Sequence, residues 1–218
     1  MKKILALVLA LVMILTASLA AAETFKMGID AEYPPFSYLD ESGEYAGFDI
    51  EVCRRVCEIN GWDLEIVPIQ WDFKLNSLDA GEHDCVWSGM TILDTMKEAG
   101  YVLSAPYFDN TQVVLTREDT GIMTLADLAG RNVAVQLGSS GHALLEDEEG
   151  QKALADTFGK LELMTDFNVC ATELAAKGVD AVVIDQPVAE KYVKQFADYG
   201  FVVLGENLGN EQYGICFR

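Results

Sequence analysis

The sequence predicts an α/β fold built from two βα series that follow one another along the chain. Short apolar runs of strand length alternate with segments of helical periodicity, and this order repeats after the middle of the chain. No low-complexity linker separates the two series, so we expect them to lie side by side. Each series implies a mainly parallel sheet with right-handed crossover connections.

The first series has the order β-α-β-α-β. The predicted elements are strand Thr24–Ile29, a helix that Asp49 caps and Asn60-Gly61 ends, strand Leu64–Ile69, helix Asp72–Ala80 and strand Cys85–Trp87.

The second series contains more elements and ends in two short strands. It comprises strand Gln112–Thr116, a short helix capped by Thr124, strand Asn132–Gln136, a helix after Gly138-Ser139-Ser140-Gly141, strand Leu161–Met164, helix Val169–Lys177, strand Asp180–Ile184, helix Pro187–Ala197 and strands Phe201–Leu204 and Tyr213–Phe217. We expect extended strands around Val113–Leu115 and Tyr213–Ile215 to join the two series.

The first 22 residues have the pattern of a cleavable export signal. Lys2 and Lys3 precede an apolar run from Ile4 to Leu15, and the segment ends in small residues that include Ala20 and Ala22. Spanning a membrane takes about 20 apolar residues, so an anchor is the weaker interpretation. No cysteine follows the small residues, which argues against a lipid-modified N-terminus. The sequence therefore predicts cleavage after Ala22 and a periplasmic or secreted protein.

Charge and composition exclude several functional classes. The chain carries 15 Lys and Arg against 35 Asp and Glu, a formal net charge of −20, which disfavours contact with nucleic-acid phosphates. The five cysteines lack CxxC spacing, and His83 and His142 are the only histidines, so no metal or other cofactor is expected. Both histidines are predicted at the surface, and export would permit a disulfide at Cys85 or Cys216.

The predicted strand ends carry the residues suited to binding a small ligand. In open α/β sheets, ligands bind at the loops that follow the strands. These loops mix aromatic faces, hydroxyls, backbone amides and two carboxylates, which suits a small zwitterion better than a nucleotide, because no Gly-rich phosphate loop with a lysine is present. The loop residues are Asp30, Phe36, Trp71, Ser88-Gly89-Met90-Thr91, Gly138-Ser139-Ser140 and Asp185.

Five segments in order along the chain resemble a known family. They read GIDAEYPPFSY, EYAGFDIEV, AGEHDCVWSGMTI, LADLAGRNVAVQLGSSG and GVDAVVIDQPVA. With them the chain resembles the periplasmic amino-acid-binding proteins of ABC transporters, the bacterial extracellular solute-binding proteins of family 3. The resemblance implies a two-lobed periplasmic-binding-protein-like clamp of type II, with lobe 1 at residues 23–112, lobe 2 at 113–211 and a return strand at 212–218. It also implies a monomer that captures a free amino acid and delivers it to a membrane permease.

The resemblance assigns roles to the residues that would hold the amino acid's charged groups. Gly89 matches a backbone contact, and Thr91 matches a hydroxyl that meets the α-carboxylate. Ser140, which follows Ser139 in the same ligand-binding loop, matches a backbone N–H donor to that carboxylate. Asp185 matches the acid that binds the α-ammonium, although as the last residue of a strand it could instead cap the next helix.

Four further residues are implied to surround the ligand side chain. Phe36 and Trp71 match flanking aromatic positions, although Phe36 could equally pack inward. Asp30 matches a polar contact, and Gln136 matches a position that helps to distinguish side chains. A nearby carboxylate and the net negative charge favour a polar or cationic amino acid. Asp30 and Gln136 could bind an amide as readily as an ammonium.

One position departs from the family pattern. The family places an arginine seven residues after the matched glycine, and counting from Gly89 that position is Met96. Either the neighbouring Lys97 supplies the positive charge, or Met96 faces the core and the ligand differs or carries less charge. Lys97 would act as a point charge and not as a planar fork.

Two other functions compete with amino-acid binding as interpretations of the sequence. A catalytic derivative of the clamp, such as a cyclic-carboxylate dehydratase, would need an acid or base such as Glu32 or Asp30 in the cleft. A ligand-sensing receptor domain is the other rival.

Family members continue with further helices after the return strand, so the chain ending at Arg218 is expected to be a fragment or a shortened protein.

Overall fold

The computed structural model describes residues 22–218, so the predicted export signal lies outside the described residues except for Ala22. Within residues 22–218, no helix is long and apolar enough to cross a membrane.

The first lobe contains seven strands and three helices. They are β1 (Thr24–Ile29), β2 (Glu32–Tyr33), β3 (Ser37–Leu39), β4 (Tyr45–Ala46), α1 (Phe48–Asn60), β5 (Asp63–Pro68), α2 (Lys74–Asp79), β6 (Cys85–Thr91), α3 (Asp94–Glu98) and β7 (Val102–Leu103). A single 3₁₀ turn at Trp71–Phe73 leads into α2.

The second lobe follows the long strand β8 (Phe108–Arg117). Its elements are β9 (Asn132–Gln136), α4 (Ser140–Glu146), α5 (Lys152–Ala155), β10 (Lys160–Met164), α6 (Phe167–Ala175), β11 (Ala181–Asp185) and α7 (Gln186–Gln195), after which β12 (Phe201–Phe217) returns to the first lobe. Three 3₁₀ turns lie at Glu118–Thr120, Leu125–Leu128 and Ala197–Tyr199.

The strand order confirms the predicted two-lobed α/β class. The main sheet of the described residues runs β10-β9-β11-β8-β12-β6-β1-β5, with β7 beside β12. β1 pairs in parallel with β5 and β6, and β9 pairs in parallel with β10 and β11. The antiparallel pair β8 and β12 connects these two parallel groups, and β2, β3 and β4 form a small antiparallel sheet. The two lobes are therefore joined by two crossover strands.

The prediction of two separate terminal strands is wrong. β12 is continuous from Phe201 to Phe217, pairing first with β8 and then with β6. Register shifts between Val203 and Asn207, and between Asn207 and Gly209, absorb the polar and glycine residues that mimic a loop. A continuous irregular strand can therefore carry the chain from one lobe to the other.

The predicted cap of the first helix is also wrong. α1 begins at Phe48 after Gly47, whose φ of 129° and tight approach to the Phe36 carbonyl both require glycine. Asp49 lies inside the first turn, where its Oδ2 accepts hydrogen bonds from the Gly89 N–H at 2.7 Å and the Tyr107 hydroxyl at 2.9 Å. Burial raises the pKa of Asp49 to about 6. This carboxylate fixes α1 to β6.

His83 is buried, which corrects its predicted place at the surface. Its Nδ1 lies 3.0 Å from the Cys85 carbonyl oxygen and its Nε2 lies 2.9 Å from Ser77 Oγ. A Cβ on Gly28 would meet the imidazole ring at 2.8 Å, so the small residue makes room for it. The five cysteines, all among the described residues, are free and buried, including Cys85 and Cys216.

Arg117 at the end of β8 ties that strand to the turn after α6. The residue is 6% exposed, and Nη1 donates to the carbonyl oxygens of Leu174 and Val179 while Nε donates to Asp119.

We expect Arg117→Met to lower the free energy of unfolding by about 2–4 kcal/mol, because buried carbonyls lose a charged donor. Urea unfolding measures this loss. The exposed Arg55→Met is the control, expected within about 0.5 kcal/mol of wild type; equal losses in both variants would contradict the assignment.

Candidate ligand-binding site

A cavity of about 260 Å³ lies between the two lobes. Ligand sites for drug-sized molecules are typically about 300–1,000 Å³, so this volume suits a smaller solute. From the first lobe it is lined by Tyr33, Trp71, Lys74, Gly89, Met90, Thr91, Leu93 and Met96. From the second lobe it is lined by Gln136, Gly138, Ser139, Ser140, His142, Ala143, Glu146, Phe167 and Asp185.

The structure brings most of the predicted ligand residues to this cavity. The ones that line it are Trp71, Gly89, Thr91, Gln136, Ser139, Ser140 and Asp185. They converge because β6 of the first lobe and β9 and β11 of the second lobe run in opposite directions, so that their carboxyl ends meet at the cavity between the lobes. The remaining predicted residues, Asp30, Phe36 and Lys97, do not line it.

Phe36 packs inward and not against the cavity. Its side chain is 2% exposed, and its ring centroid lies 5.1 Å from that of Phe108, 5.3 Å from Tyr213 and 5.6 Å from Tyr33. Tyr33 and Phe167 provide the aromatic surfaces that face the cavity beside Trp71. Phe36 therefore supports Tyr33 from behind.

Asp30 reaches the cavity only through another side chain. Its Oδ2 accepts a hydrogen bond of 2.6 Å from Gln136 Nε2, and its Oδ1 accepts one of 2.8 Å from the Glu32 N–H. Burial raises the pKa of Asp30 to about 6. Asp30 thus fixes the orientation of the Gln136 amide, which itself lines the cavity.

Lys97 lies outside the cavity, at the surface of α3. Its side chain is 54% exposed and its Nζ lies 2.8 Å from Asp94 Oδ1. The adjacent Met96 is buried and lines the cavity instead. The position at which the resemblance implies an arginine is therefore apolar, and the structure does not bring Lys97 into its place.

Asp185 is a buried carboxylate held by three donors. Its Oδ1 accepts hydrogen bonds from Asn110 Nδ2 at 2.5 Å, Gln112 Nε2 at 2.7 Å and the Tyr213 hydroxyl at 2.8 Å. Burial, followed by the nearby charge of Glu211, raises the pKa of Asp185 to about 7. It does not cap α7 through its side chain, so the alternative role as a helix cap is not the one observed.

Glu211 on β12 is a site residue that the sequence did not reveal. Its Oε1 accepts hydrogen bonds from Thr91 Oγ1 at 2.9 Å and Ser140 Oγ at 3.1 Å. The same oxygen accepts from Asn110 Nδ2 at 2.7 Å and Gln112 Nε2 at 3.0 Å. The hydroxyls of Thr91 and Ser140 thus already contact a carboxylate of the chain itself. No local pattern marks Glu211, because only the pairing of β12 with β8 and β6 brings it here.

Lys74 is a second site residue missed from the sequence. Its Nζ donates to the Gly138 carbonyl oxygen at 2.6 Å and to the Trp71 carbonyl oxygen at 3.2 Å, and it lies 4.9 Å from the centroid of the Trp71 ring. Burial lowers the pKa of Lys74 to about 8. The sequence does contain a signal for its burial. Lys74 precedes Leu78 by four residues and therefore lies on the same face of the predicted helix as this apolar residue.

The raised pKa of Asp185 predicts a pH-dependent stability. Its pKa is about 7 in the folded chain against an ordinary value of 3.8, so between these pH values the native state binds more protons than the unfolded state. The contribution of Asp185 to the free energy of unfolding therefore falls as the pH rises from about 3.8 to about 7. Relative to Asp185→Asn, wild type should lose about 2–3 kcal/mol of unfolding free energy between about pH 5 and 7.5.

Urea unfolding of both proteins at the two pH values measures this difference. The exposed Asp198→Asn, which removes a carboxylate that does not line the cavity, serves as the matched control. A wild-type minus Asp185→Asn difference that stays constant with pH would contradict the assignment.

The fold and the site together define the class of protein. Two α/β lobes joined by two crossover strands, with a small polar and aromatic cavity enclosed between them, form the clamp of a solute-binding protein. The chain belongs to the bacterial extracellular solute-binding proteins, family 3, whose family model matches residues 25–196.

Individual relatives of the chain are named as amino-acid-binding proteins. The arginine-binding extracellular protein ArtP of Bacillus subtilis is 31% identical over 194 residues, which cover 88% of this chain and 73% of that protein. A probable histidine-binding protein of Neisseria gonorrhoeae is 32% identical over 199 residues, which cover 90% of this chain and 72% of that protein. The crystal structure of an ancestral amino acid-binding protein, described as a precursor of cyclohexadienyl dehydratase, is 31% identical with a TM-score of 0.79, covering 89% of this chain and 82% of the other.

Proposed function

We propose that this protein captures a free amino acid, polar or cationic, between its two lobes and delivers it to the permease of an ABC transporter. The observation that carries the proposal is the buried Asp185 carboxylate, which lines the cavity and is held in place by Asn110, Gln112 and Tyr213. An α-ammonium group has three N–H donors and needs such an acceptor when it leaves water.

The rest of the cavity suits the other parts of an amino acid. Tyr33, Trp71 and Phe167 offer aromatic surface for an aliphatic or cationic side chain. Gln136, fixed by Asp30, can read a polar side-chain terminus. The relatives named for binding arginine and histidine support a cationic ligand, as does the net charge of −20.

The remaining parts of the proposal concern location and partners. We propose that the protein acts in the periplasm or outside the cell as a monomer, after removal of residues 1–22. We further propose lobe boundaries at residues 23–112 and 113–211, with 212–218 as the return strand. The protein is proposed to bind its ligand without chemical turnover, which the relatives named as binding proteins support.

A thermal-shift screen of the purified chain against the free amino acids, ornithine and cystine tests the function. A ligand present at 100 times its Kd adds about 2.7 kcal/mol of stability, which gives a clear rise in Tm. We expect the largest rise with a cationic or polar amino acid. A cooperative melt that no amino acid shifts, even at millimolar concentration, would overturn the proposal.

Turnover is tested separately on the same preparation. Incubation with the ligand found in the screen, and with a cyclic carboxylate, should leave both compounds unchanged by chromatography. Loss of the cyclic carboxylate would instead favour the dehydratase alternative, which the similarity to a precursor of cyclohexadienyl dehydratase raises.

A further inference from the structure

We propose that Lys74 binds the carboxylate of the captured amino acid and so supplies the positive charge of the site. The inference rests on the proposed function, because it requires a ligand with a carboxylate. Lys74 extends from α2 of the first lobe, and its Nζ contacts the Gly138 carbonyl oxygen of the second lobe at 2.6 Å.

The buried Lys74 ammonium has no carboxylate in direct contact, although Asp72 and Asp30 lie near enough to favour its charge. Its side chain is 8% exposed, and its two hydrogen-bond acceptors are the backbone carbonyls of Gly138 and Trp71. In the described part of the chain, no carboxylate lies within 4.0 Å of its Nζ. An ammonium group out of water is costly unless an anion compensates it. The third N–H of Lys74 is therefore suited to an anionic group that arrives with the ligand.

Lys74 itself lines the ligand cavity. Among the described residues that line the cavity, Lys74 is the only lysine or arginine. The other basic residue there, His142, has its Nε2 3.5 Å from Glu146 Oε1, so any charge on its ring is already opposed. Lys97 lies outside, paired with Asp94.

The hydroxyls of Thr91 and Ser140 are poorly suited to binding a ligand carboxylate without a cation nearby. Thr91 Oγ1 and Ser140 Oγ both donate to Glu211 Oε1, at 2.9 Å and 3.1 Å. A ligand carboxylate placed on these hydroxyls would meet the charge of Glu211. A cation is needed to offset that repulsion, and Lys74 provides it from the same cavity.

The Trp71 ring helps to hold the ammonium group in this place. Lys74 Nζ lies 4.9 Å from the ring centroid, within the range of a cation–π contact. Together with the two carbonyl oxygens, the ring fixes Nζ at the boundary of the lobes, so a carboxylate bound there would contact both lobes at once.

The test compares an amino acid with its α-amide, which keeps the ammonium but loses the carboxylate charge. Calorimetric titrations use L-arginine and L-argininamide, with L-histidine and L-histidinamide as a second pair. Wild type should prefer the acid by about 10- to 150-fold. Lys74→Gln should bring this affinity ratio close to one. It should weaken the affinity for the acid and leave the affinity for the amide within about threefold of wild type.

Three further variants make the outcome decisive. Lys74→Met keeps an unbranched apolar stem and should behave like Lys74→Gln, which protects the test if one variant folds poorly. Lys74→Arg should retain part of the preference, and Lys97→Ala should retain all of it. A Lys74→Gln or Lys74→Met protein with the wild-type ratio would overturn the role of Lys74 while leaving the proposed function intact. Wild type that binds no amino acid in the screen would overturn both.

Discussion

Asp185→Asn is expected to weaken amino-acid binding strongly. The buried Asp185 carboxylate would lose its charge while the ligand ammonium would still have to leave water, and truncating one partner of such a pair costs about 2–5 kcal/mol. This corresponds to an affinity reduced by roughly 30- to 5,000-fold. Isothermal titration with the amino acid found in the screen measures the loss.

The fold of Asp185→Asn should survive, which separates a binding effect from an unfolding effect. The asparagine Oδ1 can still accept from Asn110, Gln112 and Tyr213, and the variant removes a carboxylate whose pKa burial raises to about 7. Its free energy of unfolding at neutral pH should therefore be no lower than that of wild type. Asp198→Asn is the control for binding. An Asp185→Asn protein with wild-type affinity would refute the ammonium role.

Gly138→Ala is expected to weaken ligand binding at least about tenfold by holding the lobes apart. A Cβ on Gly138 would lie 2.8 Å from Asp72 Cα, and Asp72 belongs to the other lobe. Gly138 also has a φ of 74°, which L-residues adopt at a cost of about 1–2 kcal/mol. The backbone of Asp72 cannot yield as a flexible side chain would, so the two lobes must separate.

Gly130→Ala is the matched control for this prediction. Gly130 has a φ of 73°, and a Cβ there would meet nothing within 4 Å. Both variants should lose similar stability from backbone strain, whereas only Gly138→Ala should lose affinity. Small-angle scattering with saturating ligand should show a larger radius of gyration for Gly138→Ala. Equal affinities in the two variants would refute close approach of the lobes at Gly138.

Local patterns predicted the elements well where burial alone defines a strand. β1 at Thr24–Ile29 and β9 at Asn132–Gln136 have the bounds that their apolar runs indicate. The sequence misplaces the start of α1, because aspartate is a common N-cap residue. The Asp49 carboxylate instead accepts from the Gly89 N–H, 40 residues away. The sequence predicts two strands in place of β12, because the irregular pairing of β12 tolerates the same residues that loops prefer.

The site was predictable to the extent that strand ends determine it. Thr91, Ser140 and Asp185 are predictable because each lies at or after the carboxyl end of a strand, where ligands bind in α/β folds, and these ends meet at the cavity. Glu211 contacts Thr91 across 120 residues of sequence, and no local spacing encodes such a contact. Lys74 is not predictable in this way, because a lysine on a short helix is ordinarily a solvent-exposed residue.

We propose that the cavity binds an amino acid through its ammonium and its carboxylate together. The most direct measurement is calorimetric titration of the purified chain with L-arginine and L-histidine, each beside its decarboxylated amine, agmatine or histamine. We predict saturable one-to-one binding of at least one of the amino acids, with its amine at least about tenfold weaker. Equal binding of amine and amino acid, or no binding of either amino acid, would contradict the claim.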